Sequence, residues 1–99
     1  MNRKRRVILG ADGVLLGTAE YVRGMLDGSA TLFGPSGGVT QEANYRGGEL
    51  HGLYRAWWEN GRIREEVTYR SGNRIGIYRR YLQDGSVERE YDYGTRLSG

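Results

Sequence analysis

The sequence repeats itself with a period of 24 residues, and this period constrains the fold more than any other feature. Glycine, aromatic, glutamate and tyrosine positions recur in three successive copies: Gly24, Gly28, Phe33, Gly37, Val39, Glu42 and Tyr45; then Gly48, Gly52, Trp57, Gly61, Ile63, Glu66 and Tyr69; then Gly72, Gly76, Tyr81, Gly85, Val87, Glu90 and Tyr93. A fixed spacing of this kind is typical of repeat arrays. We therefore expect one repeat domain over residues 1–99, with a partial unit at about 1–23 and full units at about 24–47, 48–71 and 72–95.

Each unit has the pattern of a β-hairpin. In the segment 53–69, two β-prone halves are separated by Asn60-Gly61, which favours a two-residue type I′ turn. Asp12-Gly13, Ser36-Gly37 and Asp84-Gly85 hold the same place in the other units, and paired glycines fall where one hairpin must reverse into the next. The pattern predicts an all-β fold, a single curved antiparallel meander of four hairpins at about 5–21, 29–45, 53–69 and 77–93.

A two-residue turn also predicts which side chains share a face. Placing Glu59 opposite Arg62 gives the pairs Trp58–Ile63, Trp57–Arg64, Arg55–Glu66 and Tyr54–Val67, and the last hairpin gives Leu82–Val87, Tyr81–Glu88, Arg79–Glu90 and Tyr78–Tyr91. One predicted face is then apolar: Tyr54, Trp58, Ile63, Val67, Tyr69, Tyr78, Leu82, Val87, Tyr91 and Tyr93. The other predicted face is charged: Arg55, Arg64, Glu66, Arg79, Glu88 and Glu90, with Trp57 and Tyr81 among them. Identical repeat offsets further predict a stacked ladder of Tyr21, Tyr45, Tyr69 and Tyr93.

Composition argues against several classes of protein. The net charge is +3, but four basic residues lie together at positions 3–6, and the remaining 11 basic residues face 12 acidic ones. A nucleic-acid binder usually spreads positive charge over its folded surface, so this distribution of charge argues against nucleic acid as a partner. No apolar run approaches the roughly 20 residues that a membrane helix needs, and no secretion signal is visible. We expect a cytoplasmic protein without membrane contact.

Catalytic and metal chemistry find little support in the sequence. Cysteine is absent and His51 is the only histidine, so a zinc site cannot be assembled from thiolate and imidazole ligands. The carboxylate pairs Glu65/Glu66 and Glu88/Glu90 lie in predicted strands beside arginine, where ion pairing is the simpler role. The glycine-rich segment 34–38 lacks the lysine and following helix of a phosphate loop. We expect no catalytic residue, no metal and no cofactor.

The segment from Gly48 to Tyr69 carries a family resemblance. Its pattern, G-x-x-x-G-x-Y-x-x-W-x-x-N-G-x-x-x-x-E-x-x-Y, resembles the MORN-like repeat of bacterial proteins labelled as toxin–antitoxin antitoxins of the YwqK type. The unit at 72–93 matches almost as well, whereas residues 24–47 match mainly in glycines and residues 1–23 hold half a unit. The resemblance implies stacked hairpins in one curved sheet, a role in binding other proteins, and no catalytic residues.

A single-layer sheet leaves one face in water unless a partner covers it, and tyrosine, tryptophan and arginine concentrate binding energy in interfaces. We therefore expect a non-catalytic protein-binding module, in the manner of an antitoxin or immunity protein that neutralises a toxin or effector. The expected partner-binding residues are Trp57, Tyr81, Arg55, Arg79, Arg64, Glu66, Glu88 and Glu90. Two alternatives stay open. The first is a scaffold that self-associates, for example as a homodimer, through its sheet edges or apolar face. The second is a single-stranded nucleic-acid binder that uses the basic N-terminal arm, with aromatic rings on which bases can stack.

Overall fold

The computed structural model describes residues 2–95 as one open antiparallel sheet without a helix. The strands are β1 (Lys4–Leu9), β2 (Leu15–Val22), β3 (Met25–Phe33), β4 (Val39–Arg46), β5 (Glu49–Leu50), β6 (Gly52–Trp57), β7 (Ile63–Arg70), β8 (Asn73–Tyr81) and β9 (Val87–Asp92). Their order in the sheet follows the chain, with the short β5 pairing only with β4. The predicted all-β meander of four hairpins is confirmed. The sheet is 16 Å deep along its shortest axis, far more than a flat layer of Cα atoms, because it twists and curves.

Each hairpin turns where the sequence predicts, but through a three-residue loop instead of a two-residue type I′ turn. In the third hairpin the Gly61 amide donates to the Trp58 carbonyl and the Trp58 amide donates to the Arg62 carbonyl. Gly61 has a φ of 87°, whereas Asn60 keeps a negative φ and accepts the Arg62 amide on its side chain at 2.8 Å. This is a type I turn followed by a left-handed glycine. The predicted turn type is therefore wrong, although its position is right.

Type I′ turns do occur, at the opposite ends of the strands. The junctions between hairpins are the dipeptides Arg23-Gly24, Gly47-Gly48 and Ser71-Gly72, and all six residues have positive φ. The flanking residues pair directly, as in Val22 with Met25 and Arg70 with Asn73. Tight two-residue reversals at these junctions leave no room for a crossover, so successive hairpins must lie side by side.

A β-bulge in every hairpin changes which side chains share a face. In the third hairpin Trp57 pairs with Ile63 and Ala56 pairs with Glu65, so Arg64 is an extra residue without a partner. In the fourth hairpin Tyr81 pairs with Val87 and Arg80 pairs with Arg89, so Glu88 is the extra residue. The bulge compensates for the longer turn, and the predicted pairs Tyr54–Val67, Arg55–Glu66, Tyr78–Tyr91 and Arg79–Glu90 are confirmed.

The predicted pairs beside the turns are wrong for the same reason. Ile63 and Val87 join Trp57 and Tyr81 on the face that carries the Arg–Glu pairs, instead of lying on the predicted apolar face. We call that side of the sheet the charged face and define it by Arg55, Glu66, Arg79 and Glu90.

The other side, which we call the buried face, carries every side chain in residues 2–95 that is almost fully covered. These are Ala19, Ala43, Ala56, Val67 and Tyr78, exposed by 0–7%. Residues 2–95 form no second layer, so larger neighbours on the same face cover the small ones. Val67, for example, pairs with Tyr54 and lies beside the strand that carries Tyr78. A core of this kind is thin, as expected for a chain of 99 residues.

The repeated tyrosines share the buried face, but they do not stack on one another. Tyr69 and Tyr93 lie on either side of β8, and Arg74 donates to the hydroxyl of each at 3.2 Å. Leu26 and Leu50 occupy the corresponding positions beside Tyr21 and Tyr45. Residues on alternate strands are about 10 Å apart, too far for ring contact. The predicted face of the ladder is right, and the predicted stacking is wrong.

Candidate partner-binding surface

A row of alternating charges crosses five strands of the charged face. Glu42 pairs with Arg55, Arg55 with Glu66, Glu66 with Arg79, and Arg79 with Glu90. Within the hairpins the arginine Nε lies 2.7 Å from the glutamate Oε2 in both Arg55–Glu66 and Arg79–Glu90. Each guanidinium therefore has a carboxylate on both sides along the row. We call this row the charge ladder.

The charge ladder orients its side chains relative to one another while leaving them accessible. The side chains of Arg55 and Arg79 are 41% and 39% exposed. The hydrogen bond to Glu90 raises the pKa of Arg79 above its usual value, with the nearby glutamate charges adding to the effect. Exposed ion pairs contribute only about 0–1 kcal/mol each to folding. Their main effect is thus to orient the guanidinium and carboxylate groups, which can exchange hydrogen bonds with a partner.

An apolar row runs beside the charge ladder on the same face, closer to the hairpin turns. Its best-formed part consists of two pairs, Trp57 with Ile63 and Tyr81 with Val87. The first two hairpins contribute the equivalent pairs Leu9–Leu15 and Phe33–Val39. Val87 is 53% exposed and Leu9 is 58% exposed, whereas Trp57 and Tyr81 are partly covered. A strip of apolar side chains next to fixed charges is the composition of a protein interface.

The apolar row opens onto a cavity of about 240 Å³ between two neighbouring hairpin turns. Trp57 and Trp58 form one wall, Val39 and Thr40 form another, and glycines of both turns complete the lining. The Trp58 indole is held in place because its Nε1 donates to the Tyr81 carbonyl at 3.2 Å. The cavity is large enough to accept one side chain of a partner and too small for a substrate of drug size.

Two of the eight predicted partner-binding residues lie on the other side of the sheet. Because Arg64 and Glu88 are the bulge residues, their side chains point to the buried face. The Arg64 guanidinium lies 5.5 Å from the centre of the Trp58 ring, and Arg80 lies 5.8 Å from the same ring. Glu88 accepts from the Arg80 Nε at 2.9 Å. The remaining six, Trp57, Tyr81, Arg55, Arg79, Glu66 and Glu90, share the charged face.

Sequence reasoning missed one well-formed cluster, which is centred on Arg74. Its guanidinium lies 5.0 Å from the ring centre of Tyr78 and about 6 Å from those of Tyr69 and Tyr93. The hydrogen bonds that Arg74 donates to the hydroxyls of Tyr69 and Tyr93 raise its pKa above the usual value, with the Tyr69 bond contributing most. The repeat itself held the clue, since Leu26 and Leu50 fill this position in the earlier units and only the last unit has a charge there.

The basic residues near the N-terminus belong largely to the sheet. Lys4, Arg5 and Arg6 are in β1, and Arg3 immediately precedes this strand. Arg3 pairs with Asp27 at 2.8 Å, and Arg6 lies 5.2 Å over the Tyr21 ring. Arg3 is therefore paired and Arg6 is partly covered by a ring, so this segment is not a free basic arm of the kind that binds a phosphate backbone.

The carboxylates have structural partners. Adjacent Glu65 and Glu66 point to opposite faces, where Glu65 accepts from the Tyr78 hydroxyl and Glu66 from Arg55. Across residues 2–95, no three His, Cys, Asp or Glu side chains come together as a potential metal site. Nor does this part of the chain form any helix long and apolar enough to cross a membrane.

Comparison with known proteins supports the repeat assignment. Residues 50–71 match the family described as MORN repeat variant. The matched segment spans β6, the third hairpin turn and β7, and the hairpins on both sides repeat its turn and its bulge. No curated protein and no solved structure gives a significant match. The third hairpin therefore matches a MORN repeat variant, and it lies in an array of similar hairpins.

Proposed function

We propose that this protein is a non-catalytic protein-binding module that binds its partner through the charged face. The observation that carries the proposal is the apolar row of Trp57, Ile63, Tyr81 and Val87 running parallel to the charge ladder. Aromatic and arginine side chains with limited rotational freedom bind with a small loss of entropy. The partly covered Trp57 lies beside a cavity that can accept one side chain, so it is suited to an apolar side chain of the partner, and the charge ladder is suited to the polar rim around it.

A finer form of the proposal concerns the kind of partner. The resemblance of residues 48–69 to MORN-like antitoxins suggests an inhibitor or immunity-type protein of the cytoplasm that covers the active region of a toxin or effector. An open sheet face fits this role, because it can cover a large area of a partner without chemistry of its own. Co-expression with the product of a neighbouring reading frame tests this form directly, since an antitoxin restores growth and an unrelated binding module does not.

Truncation of the central aromatic residue is the sharpest test of the surface. The partner is first isolated from the native host with the intact protein as bait, and its affinity is then measured by calorimetry. We expect Trp57→Ala to weaken binding by about 2 kcal/mol or more, roughly thirtyfold, because interface anchors carry energy of this size. Leu16→Ala is the matched control, since Leu16 is 44% exposed and lies at the bulge position of the first hairpin, away from the surface.

The result must separate binding from folding. A Trp57→Ala protein that keeps its melting temperature within a few degrees and loses affinity supports the proposal. Equal affinity of the Trp57→Ala, Tyr81→Ala and intact proteins would contradict it. A complex with single-stranded nucleic acid in place of a protein, weakening steeply with salt, would favour the nucleic-acid alternative.

A further inference from the structure

The two outer strands of the sheet present unpaired edges of opposite charge. Within residues 2–95, β1 pairs only with β2 and β9 pairs only with β8, and every residue of both strands is exposed. An exposed edge displays a row of unpaired backbone amides and carbonyls, which is a template for another strand. The edges are therefore the part of this sheet where added backbone hydrogen bonds can form most readily.

Charge decides which pairing of edges is favourable. β1 (KRRVIL) contains Lys4, Arg5 and Arg6 and no acidic residue. β9 (VEREYD) contains three acidic residues, Glu88, Glu90 and Asp92, against one basic residue. Two β1 edges repel each other, and so do two β9 edges, although ion pairs of Arg5 with Glu20, Glu88 with Arg80 and Glu90 with Arg79 reduce this repulsion. The combination of β1 with β9 of another molecule brings opposite charges together.

The direction of the strands allows the same combination. β5 and β6 share one position in the sheet, so the sheet has eight positions with alternating direction, and β1 and β9 run opposite ways. β1 of a second molecule can therefore add to β9 antiparallel, as the next strand of the meander. The repeat also supplies a register for this contact. Val7 pairs with Thr18 in the first hairpin, and Arg79 pairs with Glu90 in the last one, three repeats later, so Val7 and Arg79 are equivalent positions.

We infer that the protein associates head to tail with copies of itself, β1 of one molecule adding to β9 of the next. The junction between β7 and β8, in which Glu66 faces Arg79, is the template for the contact. Shifted by whole repeats, it places Glu90 opposite Val7 of the second copy and Tyr91 opposite its Arg6. It also places Asp92 between Arg3 and Arg5 of that copy.

The contact has definite physical properties. It joins two different edges, so it is heterologous and extends into longer chains unless a ring closes. It involves only about six residues on each side, so the affinity is modest and association increases with protein concentration. Charge complementarity at an exposed edge makes the association weaker as salt is added. These properties do not depend on the proposed function of the charged face.

Sedimentation velocity of the 99-residue protein over a wide concentration range tests the inference. We expect the intact protein to form a concentration-dependent series of oligomers at low salt. Asp92→Lys and Arg5→Glu should each raise the dissociation constant about fivefold or more, because an attraction at the edge becomes a repulsion. Glu59→Lys is the matched control for Asp92→Lys. It replaces an acidic residue by lysine in a hairpin turn and should leave the oligomers unchanged.

Mixing the two edge variants distinguishes this contact from other modes of assembly. In an equimolar mixture, β9 of the Asp92→Lys variant meets β1 of the Arg5→Glu variant, which brings the two introduced charges of opposite sign together. At the other kind of junction, the unchanged Asp92 meets the unchanged Arg5. Association should therefore return. A protein that stays monomeric at every concentration would overturn the inference. So would oligomers that respond to Arg5→Glu and ignore Asp92→Lys, because they would form through two β1 edges.

Discussion

Replacing Val67 by alanine should destabilise the protein substantially, because Val67 is the most deeply buried large side chain of the buried face. It is 1% exposed and pairs with Tyr54. The substitution removes two methyl groups, each worth about 0.8 kcal/mol when buried, and leaves a cavity that a single-layer sheet can only partly close. We expect a loss of about 2 kcal/mol in the free energy of unfolding, and a melting temperature lower by about 10 °C.

Val87→Ala is the matched control, since it removes the same atoms from another strand at a side chain that is 53% exposed. Its effect should stay within about 0.5 kcal/mol, because exposed substitutions rarely exceed that. Urea unfolding followed by tryptophan fluorescence measures both variants, and the difference between them isolates burial from strand propensity. Equal losses at the two positions would refute the assignment of the core to one face.

Two further predictions concern a turn and the dependence on pH. Gly37 has a φ of 88°, whereas Gly38 does not have a positive φ. Gly37→Ala should therefore lower the free energy of unfolding in urea by about 1 kcal/mol, while Gly38→Ala should be neutral or slightly stabilising. Equal effects of the two substitutions would contradict the turn geometry. The Ser29 amide and hydroxyl donate to Glu20 and lower the pKa of its carboxyl. The ionised carboxylate therefore stabilises the folded protein above the ordinary glutamate pKa, and this contribution is lost as the pH falls through the lowered pKa of the folded state. Between about pH 7 and pH 2, the melting temperature should therefore fall less for Glu20→Gln than for the intact protein. Glu59→Gln is the control. An equal fall for Glu20→Gln and the intact protein would contradict this role of Glu20.

The strand order and the positions of all four hairpin turns could be predicted from the sequence, because glycines at a 24-residue spacing leave few other arrangements. The type of turn could not, since Asn60-Gly61 suits both a two-residue loop and a three-residue loop that ends in a left-handed glycine. The choice has consequences for the surface. The longer loop requires a bulge, and the bulge sends Arg64 to the buried face and brings Ile63 to the charged face.

The sequence therefore predicted the centre of the candidate surface correctly, but it placed several residues beside the hairpin turns on the wrong face. The pairs Arg55–Glu66 and Arg79–Glu90 lie beyond the bulge, where two-residue and three-residue loops lead to the same register. Residues next to the turn depend on the conformation of the loop, which no periodic pattern determines. Arg74 escaped notice for a different reason, since it breaks the repeat and a search for repeated positions passes over it.

Site-specific photocrosslinking in the native host most directly tests whether the charged face binds a protein. A photoreactive phenylalanine analogue replaces Tyr81 on the charged face or Tyr91 on the buried face, and the two positions belong to the same hairpin. We predict that the probe at position 81 captures a partner protein other than this chain. The probe at position 91 should capture only further copies of this chain. Capture of a different protein from position 91 alone would contradict the proposed binding face.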